Sequence, residues 1–310
     1  TEYNDFEIAK NLELFANIYR ELNTHYVDEV DPEYLMETGV DAMLKSLDPY
    51  TTYIPADQVA QFNSTITGRY GGLGVSVIKG PQHIIVSLPY EDSPGQRAGL
   101  RVGDKLLEID GTSVVGATME TISYKMRGRP GTSVQVKVAR GSAQKVLAMT
   151  IEREEININN TPYCSVLDGG VGYIVLQSFS EKAGKHVADI LNKLKQEHDL
   201  TGVILDLRGN TGGLLTEAVN VANVFLDKNK LIVQIKGRNK ALQQVFRTLN
   251  APVDTELPLA VLIDQNSASA SEIVAGAIQD LDRGVVVGQR SFGKGLVQNT
   301  RDLNYGAKVK

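Results

Sequence analysis

The chain has 310 residues, 42% of them hydrophobic and 22% charged. That is room for about two domains and the makeup of a well-cored globular protein, which excludes disordered, collagen-like and disulfide-scaffold classes. The 32 basic residues against 37 acidic ones leave a net charge of −5, which argues against a nucleic-acid binder. No apolar run approaches the ~18 residues that span a bilayer, and the one cysteine, Cys164, excludes an intrachain disulfide. The chain opens in polar sequence without an initiator Met and stops within strand-like AKVK. It therefore reads as a fragment, and the lack of a targeting segment says nothing about location.

Residues 1–61 read as helical. Ile8, Leu12, Phe15, Tyr19 and Leu22 recur at helical spacing, a second apolar set follows from Leu35 to Leu47, and Asp48-Pro49 ends it. From about Thr67 the texture becomes mostly β. Strands are predicted over 75–78, 84–88, 106–109, 134–138 and 146–151, with one amphipathic helix over 118–126. After Glu155 strands and helices alternate: strands over 173–177, 202–207, 231–235, 259–263 and 284–288, helices over 181–196, 214–225 and 270–281. That alternation predicts an α/β core whose sites lie in loops at strand ends.

The most informative segment runs from Leu259 to Gln298. A buried strand leads into Ser267-Ala268-Ser269-Ala270-Ser271-Glu272 and a small-residue helix. A serine at such a junction sits beside free N–H groups and the positive end of a helix dipole, the ingredients of an oxyanion hole. The same residues fit a capping box with Ser269 as N-cap and Glu272 at N3. The two readings are compatible. A nucleophilic serine needs a base, and His25, His83, His186 and His198 all lie far away in sequence. Lys294 between Gly293 and Gly295 is the candidate, if its ordinary pKa of about 10.4 is lowered toward neutrality. Gln298, four residues on, falls on the same side in a helix or strand and could orient the amine. The near match of residues 288–295 to a nucleotide-binding P-loop fails, because Gly295 stands at the magnesium-binding position and a β-like run follows. Asp206-Leu207-Arg208-Gly209-Asn210-Thr211-Gly212-Gly213 is a second strand-to-helix turn. It is either a structural Asp/Arg pair with a glycine turn or a source of an oxyanion donor.

SASASEI at 267–273, GKGLVQ at 293–298 and DLRGNTGG at 206–213 together resemble the C-terminal processing peptidases, the tail-specific S41 proteases with a Ser/Lys dyad. The resemblance covers nearly the whole chain. It implies an α/β, crotonase-like core with an inserted PDZ domain and an N-terminal helical part. The expected divisions are 1–66, 67–155 and 156–310, the family's core continuing beyond Lys310. It implies Ser269 as nucleophile, Lys294 as general base, Gln298 as the residue that positions the lysine, and Gly213 and Ala270 as oxyanion amides. The 25-residue separation of Ser269 and Lys294 is the family's spacing and selects among the three serines.

Gly72, Leu73, Gly74 and Val75 stand where a PDZ carboxylate-binding loop would, and Met119, Ile122 and Met126 would line its groove or simply form the buried helix face. Arg127 in the RGxxGT turn could contact the protease body, with surface placement equally open. The implied partners are polypeptides with free C-termini. No metal, nucleotide or other cofactor is expected, a homo-oligomer is compatible, and the resemblance implies an exported, periplasmic or membrane-associated enzyme. Two rivals remain: a peptide-binding scaffold with a degenerate catalytic body, and a crotonase-like acyl-transfer enzyme.

Overall fold

The computed structural model describes residues 2–142, 144–238 and 240–310. They form two compact units, Thr1–Ala60 with Gln298–Lys310, and Gln61–Val297. In the first, helices Glu2–His25 and Pro32–Lys45 precede a short strand. The second helix starts where Pro32 follows Asp31, whose carboxylate accepts the N–H groups of Glu33 and Tyr34 at 2.9 and 3.2 Å. It stops short of Asp48-Pro49, where the Asp48 carboxylate accepts the Tyr50 and Thr51 N–H groups, both at 2.7 Å. Strand Tyr53–Ile54 pairs antiparallel with Lys308–Val309, and that with Arg301–Asp302.

In the second unit, strand Arg69–Gly72 pairs with Glu154–Asn157, so the chain runs into and out of the β subdomain through one ribbon. Within it, strands Val75–Lys79, Ile84–Pro89, Lys105–Ile109, Ser133–Arg140 and Lys145–Glu152 pair antiparallel in that order. Period-two patterning sets the faces: Val134, Val136 and Val138 go in and the residues between them stay out. They pack with Leu73, Leu106, Ile109 and Ile122 of the helix Met119–Met126. Arg153 was not singled out in sequence. It is nearly buried and donates to the Lys125, Met126 and Ser133 carbonyls, supplying donors to the carbonyl end of that helix.

The core of the second unit is a five-stranded sheet in the order Tyr163–Leu167, Val171–Val175, Gly202–Asp206, Leu259–Ile263, Val285–Gly288. The first pair is antiparallel and the rest are parallel. One sheet face carries Ile174, Val203, Leu205, Leu259 and Val261, which form a single cluster with the buried faces of helices Ala183–Glu197, Leu215–Phe225 and Ala270–Asp280.

Some sequence expectations are corrected. Tyr163–Leu167 and Gln244–Arg247 are strands that were not predicted; each closes a hairpin. The run after Lys294 is irregular rather than β-like, so the same-side argument linking Gln298 to Lys294 has no regular element to act through.

Candidate active site

Strands Gly202–Asp206 and Leu259–Ile263 are parallel neighbours, with Asp206 opposite Leu262. Their C-terminal loops must therefore emerge side by side, as α/β topology requires. Asp264 ties the two loops together. Its Oδ1 accepts the N–H of Gly209 at 3.0 Å and those of Asn266 and Ser267 at 3.0 and 3.1 Å. These bonds, the one from Gly209 foremost, hold its carboxyl below the ordinary aspartate range.

The following turn sorts the three serines. Ala268 to Ser271 close a β-turn through Ser271 N–H to Ala268 O at 3.1 Å. Ser269 sits inside it at φ 56 and ψ −112. That is the first central position of a type II′ turn, which side-chain-bearing residues rarely adopt. The hydroxyls of Ser267 and Ser271, both fully buried, donate to the carbonyls of Leu207 and Asn210 at 2.8 Å each. Ser269 is half-buried, at the N-cap of helix Ala270–Asp280. Among the described residues its hydroxyl is not one that donates to a backbone carbonyl.

The glycine loop packs directly on this turn. Buried Asn210 organises it: its side chain donates to Leu176 O at 2.8 Å and accepts from Gly212 N–H at 2.9 Å, and its own carbonyl accepts Ala268 N–H. A β-carbon on Gly212 would lie 2.8 Å from Ser269 Cβ and 3.0 Å from Ala270 N. One on Gly213, at φ 150, would lie 2.5 Å from Phe179 O. Only glycine fits either place. Among the described residues, neither the Gly213 N–H nor the Ala270 N–H has a protein acceptor, so both remain available to an oxyanion.

Lys294 reaches the same corner through backbone contacts. Phe292 N–H donates to Ser267 O at 3.0 Å. Glu272, in the first turn of the serine's helix, accepts Ser269 N–H at 2.8 Å and Lys294 N–H at 3.0 Å on Oε2, and Ser291 Oγ and Gly293 N–H, both at 2.7 Å, on Oε1. Burial alone would push this carboxyl up. The four bonds outweigh it and hold the group below the ordinary glutamate range. Lys294 is half-buried. Gln298 belongs to the other compact unit, where its Nε2 donates to Tyr50 O at 2.9 Å.

Asp206 and Arg208 form the pair read from sequence, and the structure adds a third member. Arg208 forks the Asp206 carboxylate at 2.6 and 3.0 Å, and the Tyr173 hydroxyl donates to the same carboxylate. Burial would raise the Asp206 carboxyl, but Arg208 and Tyr173 hold it lowered. Among the histidines, His186 Nδ1 is bonded to Asn160 Oδ1 at 2.8 Å. Among the described residues no cluster of three or more His, Cys, Asp or Glu is arranged to hold a metal. Asn210, Asp264 and three of the four Glu272 contacts escaped the sequence reading. The asparagine inside DLRGNTGG was the available signal.

In the β subdomain a groove of about 240 Å³ is lined by Leu73, Gly74, Val75, Tyr90, Met119, Met126 and Arg127, among others. Among the described residues the Leu73 and Gly74 N–H groups have no protein acceptor. Two expected groove residues lie elsewhere. Ile122 is fully buried in the subdomain core, and Gly72 pairs with Glu154 in the basal ribbon. Arg127 stacks its guanidinium 4.7 Å above the Tyr70 ring and donates to Ser64 Oγ at 3.4 Å. Burial foremost pushes the Tyr70 hydroxyl up to about 12.

Comparison with known proteins follows the same lines. Residues 170–310 match peptidase family S41 and residues 85–140 match a PDZ domain. A Staphylococcus aureus (strain N315) protein named "Probable CtpA-like serine protease" is 35% identical over 303 residues, covering 97% of this chain and 60% of that protein. A Staphylococcus epidermidis (strain ATCC 12228 / FDA PCI 1200) protein of the same name is 34% identical over 309 residues, covering 98% and 61%. The chain thus spans about 60% of the length of these relatives. A solved structure from Bacteroides fragilis NCTC 9343, assigned to the S41 proteases, aligns over 94% of this chain and 82% of its own with a TM-score of 0.55 at 14% identity, a likeness of fold. By these likenesses residues 170–310 group with peptidase family S41 and residues 85–140 with PDZ domains.

Proposed function

We propose that this chain is the catalytic and tail-binding part of a serine endopeptidase that cuts polypeptides near their C-termini. The observation that carries the reading is Ser269, held in a II′ turn at a helix N-terminus beside two amides, of Gly213 and Ala270, that have no acceptor among the described residues. In this reading Lys294 Nζ, neutral when it acts, takes the Ser269 proton as Oγ attacks the scissile carbonyl. The Gly213 and Ala270 N–H groups hold the tetrahedral oxyanion. The C–N bond breaks as the Lys294 ammonium returns its proton to the leaving amine. Water, deprotonated by Lys294, then hydrolyses the acyl-enzyme. Gln298 helps to orient the amine.

Residues 67–155 serve as the PDZ domain. The Leu73 and Gly74 amides take the substrate's terminal carboxylate, and the strand edge at Val75 adds the peptide as a further strand. Residues 156–310 serve as the protease core and 1–66 as the N-terminal helical segment. The working compartment is outside the cytoplasm or at a membrane, as the family resemblance implies. Among the described residues no helix is long and apolar enough to cross a membrane.

The test is covalent labelling by a fluorophosphonate, read by peptide mass mapping alongside cleavage of an unfolded protein. Ser269 should carry the label, and Ser269→Ala and Lys294→Ala should neither label nor cleave. A Ser269→Ala protein that still cleaves would overturn the assignment.

A further inference from the structure

A helix cap needs one of the bonds that Glu272 makes, the one from Ser269 N–H. The other three come from a stretch 19 to 22 residues further on. That stretch carries Lys294 and has no strand or helix of its own to fix its register. One oxygen, Oε2, accepts from both Ser269 N–H and Lys294 N–H. The backbones of the two candidate catalytic residues therefore hang on a single atom.

We infer that Glu272 is the positioning residue of the Ser269/Lys294 pair, holding the lysine stretch against the serine turn as an ionised carboxylate. This rests on the reading of Ser269 and Lys294 as nucleophile and base. The chemistry follows from the acceptor count. An ionised carboxylate presents only acceptors, and here each oxygen meets two donors. A glutamine of the same shape would turn an NH₂ group toward two of those donors, losing their bonds and repelling them. An aspartate keeps the charge but draws the carboxylate back by one methylene from a stretch it must reach across. Displacing a reacting group by about 1 Å costs on the order of 10²-fold in rate.

The experiment uses the purified chain with Glu272→Gln, Glu272→Asp and Ser291→Ala, and Ser269→Ala and Lys294→Ala as references. It measures kcat and KM on an unfolded polypeptide, the fluorophosphonate acylation rate per folded molecule, and the pH profile of kcat/KM. Glu272→Gln should lower kcat and the acylation rate by about 10²-fold with KM within about twofold. The residual activity should rise at lower pH than in the parent, because a negative charge that favours the ammonium has gone. Glu272→Asp should be intermediate and leave that limb in place. Ser291→Ala, which removes the Ser291 hydroxyl donor to Oε1, should slow the enzyme by several-fold. A folded Glu272→Gln with parental kcat and an unmoved pH limb would overturn the inference, leaving only a cap. If Glu272→Gln does not fold, parental kcat in both Glu272→Asp and Ser291→Ala overturns it. Cleavage by Ser269→Ala would instead sink the dyad reading beneath it, a distinguishable result, since then labelling fails to follow activity in every variant.

Discussion

The Ser271 hydroxyl donates to the Asn210 carbonyl at 2.8 Å, so a serine two residues from the candidate nucleophile fastens its turn to the glycine loop. Ser267 does the same through Leu207 O. Both carbonyls also accept a backbone N–H, from Ala268 and Asn210 respectively, so neither is orphaned when a hydroxyl is removed. Ser267→Ala and Ser271→Ala should each lose about 1 kcal/mol in urea unfolding and retain substantial activity. Ser269→Ala should lower kcat by about 10³ to 10⁶ with a comparatively small stability change. A dead Ser271→Ala beside an active Ser269→Ala would move the nucleophile to the wrong side of the turn for this proposal.

Lys294→Arg keeps the charge but should be inactive, because a guanidinium cannot give up a proton at working pH. Lys294→Ala should bind a peptide by calorimetry without cutting it. Gln298→Ala should lose more in kcat than in KM. The pH profile of kcat/KM should rise through an ionisation well below the ordinary lysine value of about 10.4. Full activity in Lys294→Arg would reopen the search for a base.

Gly213→Ala tests the oxyanion wall. Its methyl would meet Phe179 O at 2.5 Å in a backbone conformation closed to alanine. Stability should fall by more than ~1 kcal/mol, and kcat should fall much further than KM rises. Thermal melts and steady-state kinetics on the same preparation separate the two effects.

Asp206 links pH to stability. Its carboxyl is held lowered in the fold by Arg208 and Tyr173 against the opposing effect of burial. Its stabilising contribution is therefore full above the ordinary aspartate value of about 3.9 and is lost as pH falls through the lowered one. Asp206→Asn should be less stable at pH 7 by ~1–3 kcal/mol, a figure reduced from that of a fully buried pair because Arg208 is 52% exposed. The gap to the parent should narrow as pH falls below the ordinary aspartate value of about 3.9. Urea midpoints across that range check it, and a gap independent of pH would contradict it.

Capture of a tail predicts discrimination at one chemical group. A peptide with a free terminal carboxylate should bind more tightly than its C-terminal amide, because the Leu73 and Gly74 amides favour an anion. Equal affinities would remove tail capture while leaving the protease intact.

The elements were largely legible because periodicity reports burial. Val187, Leu191 and Leu194 share a face at helical spacing, and Val134, Val136 and Val138 alternate as a strand. Tyr163–Leu167 was not read because its short YCSVL run lacks a clean alternation, although Asp168-Gly169-Gly170 marked the hairpin turn. Ile122 shows the limit of helical spacing. It lies on the apolar face with Met119 and Met126, and spacing alone does not separate core from groove. Glu272 shows a deeper limit. Three of its four donors are backbone N–H groups and every residue but proline has one, so nothing in the side chains of residues 293 and 294 announces their partner.

The II′ backbone at Ser269 also sets what a search for sturdier variants would find. A serine held at φ 56 and ψ −112 carries about 1–3 kcal/mol of conformational strain, which glycine would relieve at an entropic cost of about 0.4–1 kcal/mol. Ser269→Gly should therefore melt at a higher temperature than the parent. Selection for heat resistance alone would drift toward a chain that folds better and has no hydroxyl left with which to attack.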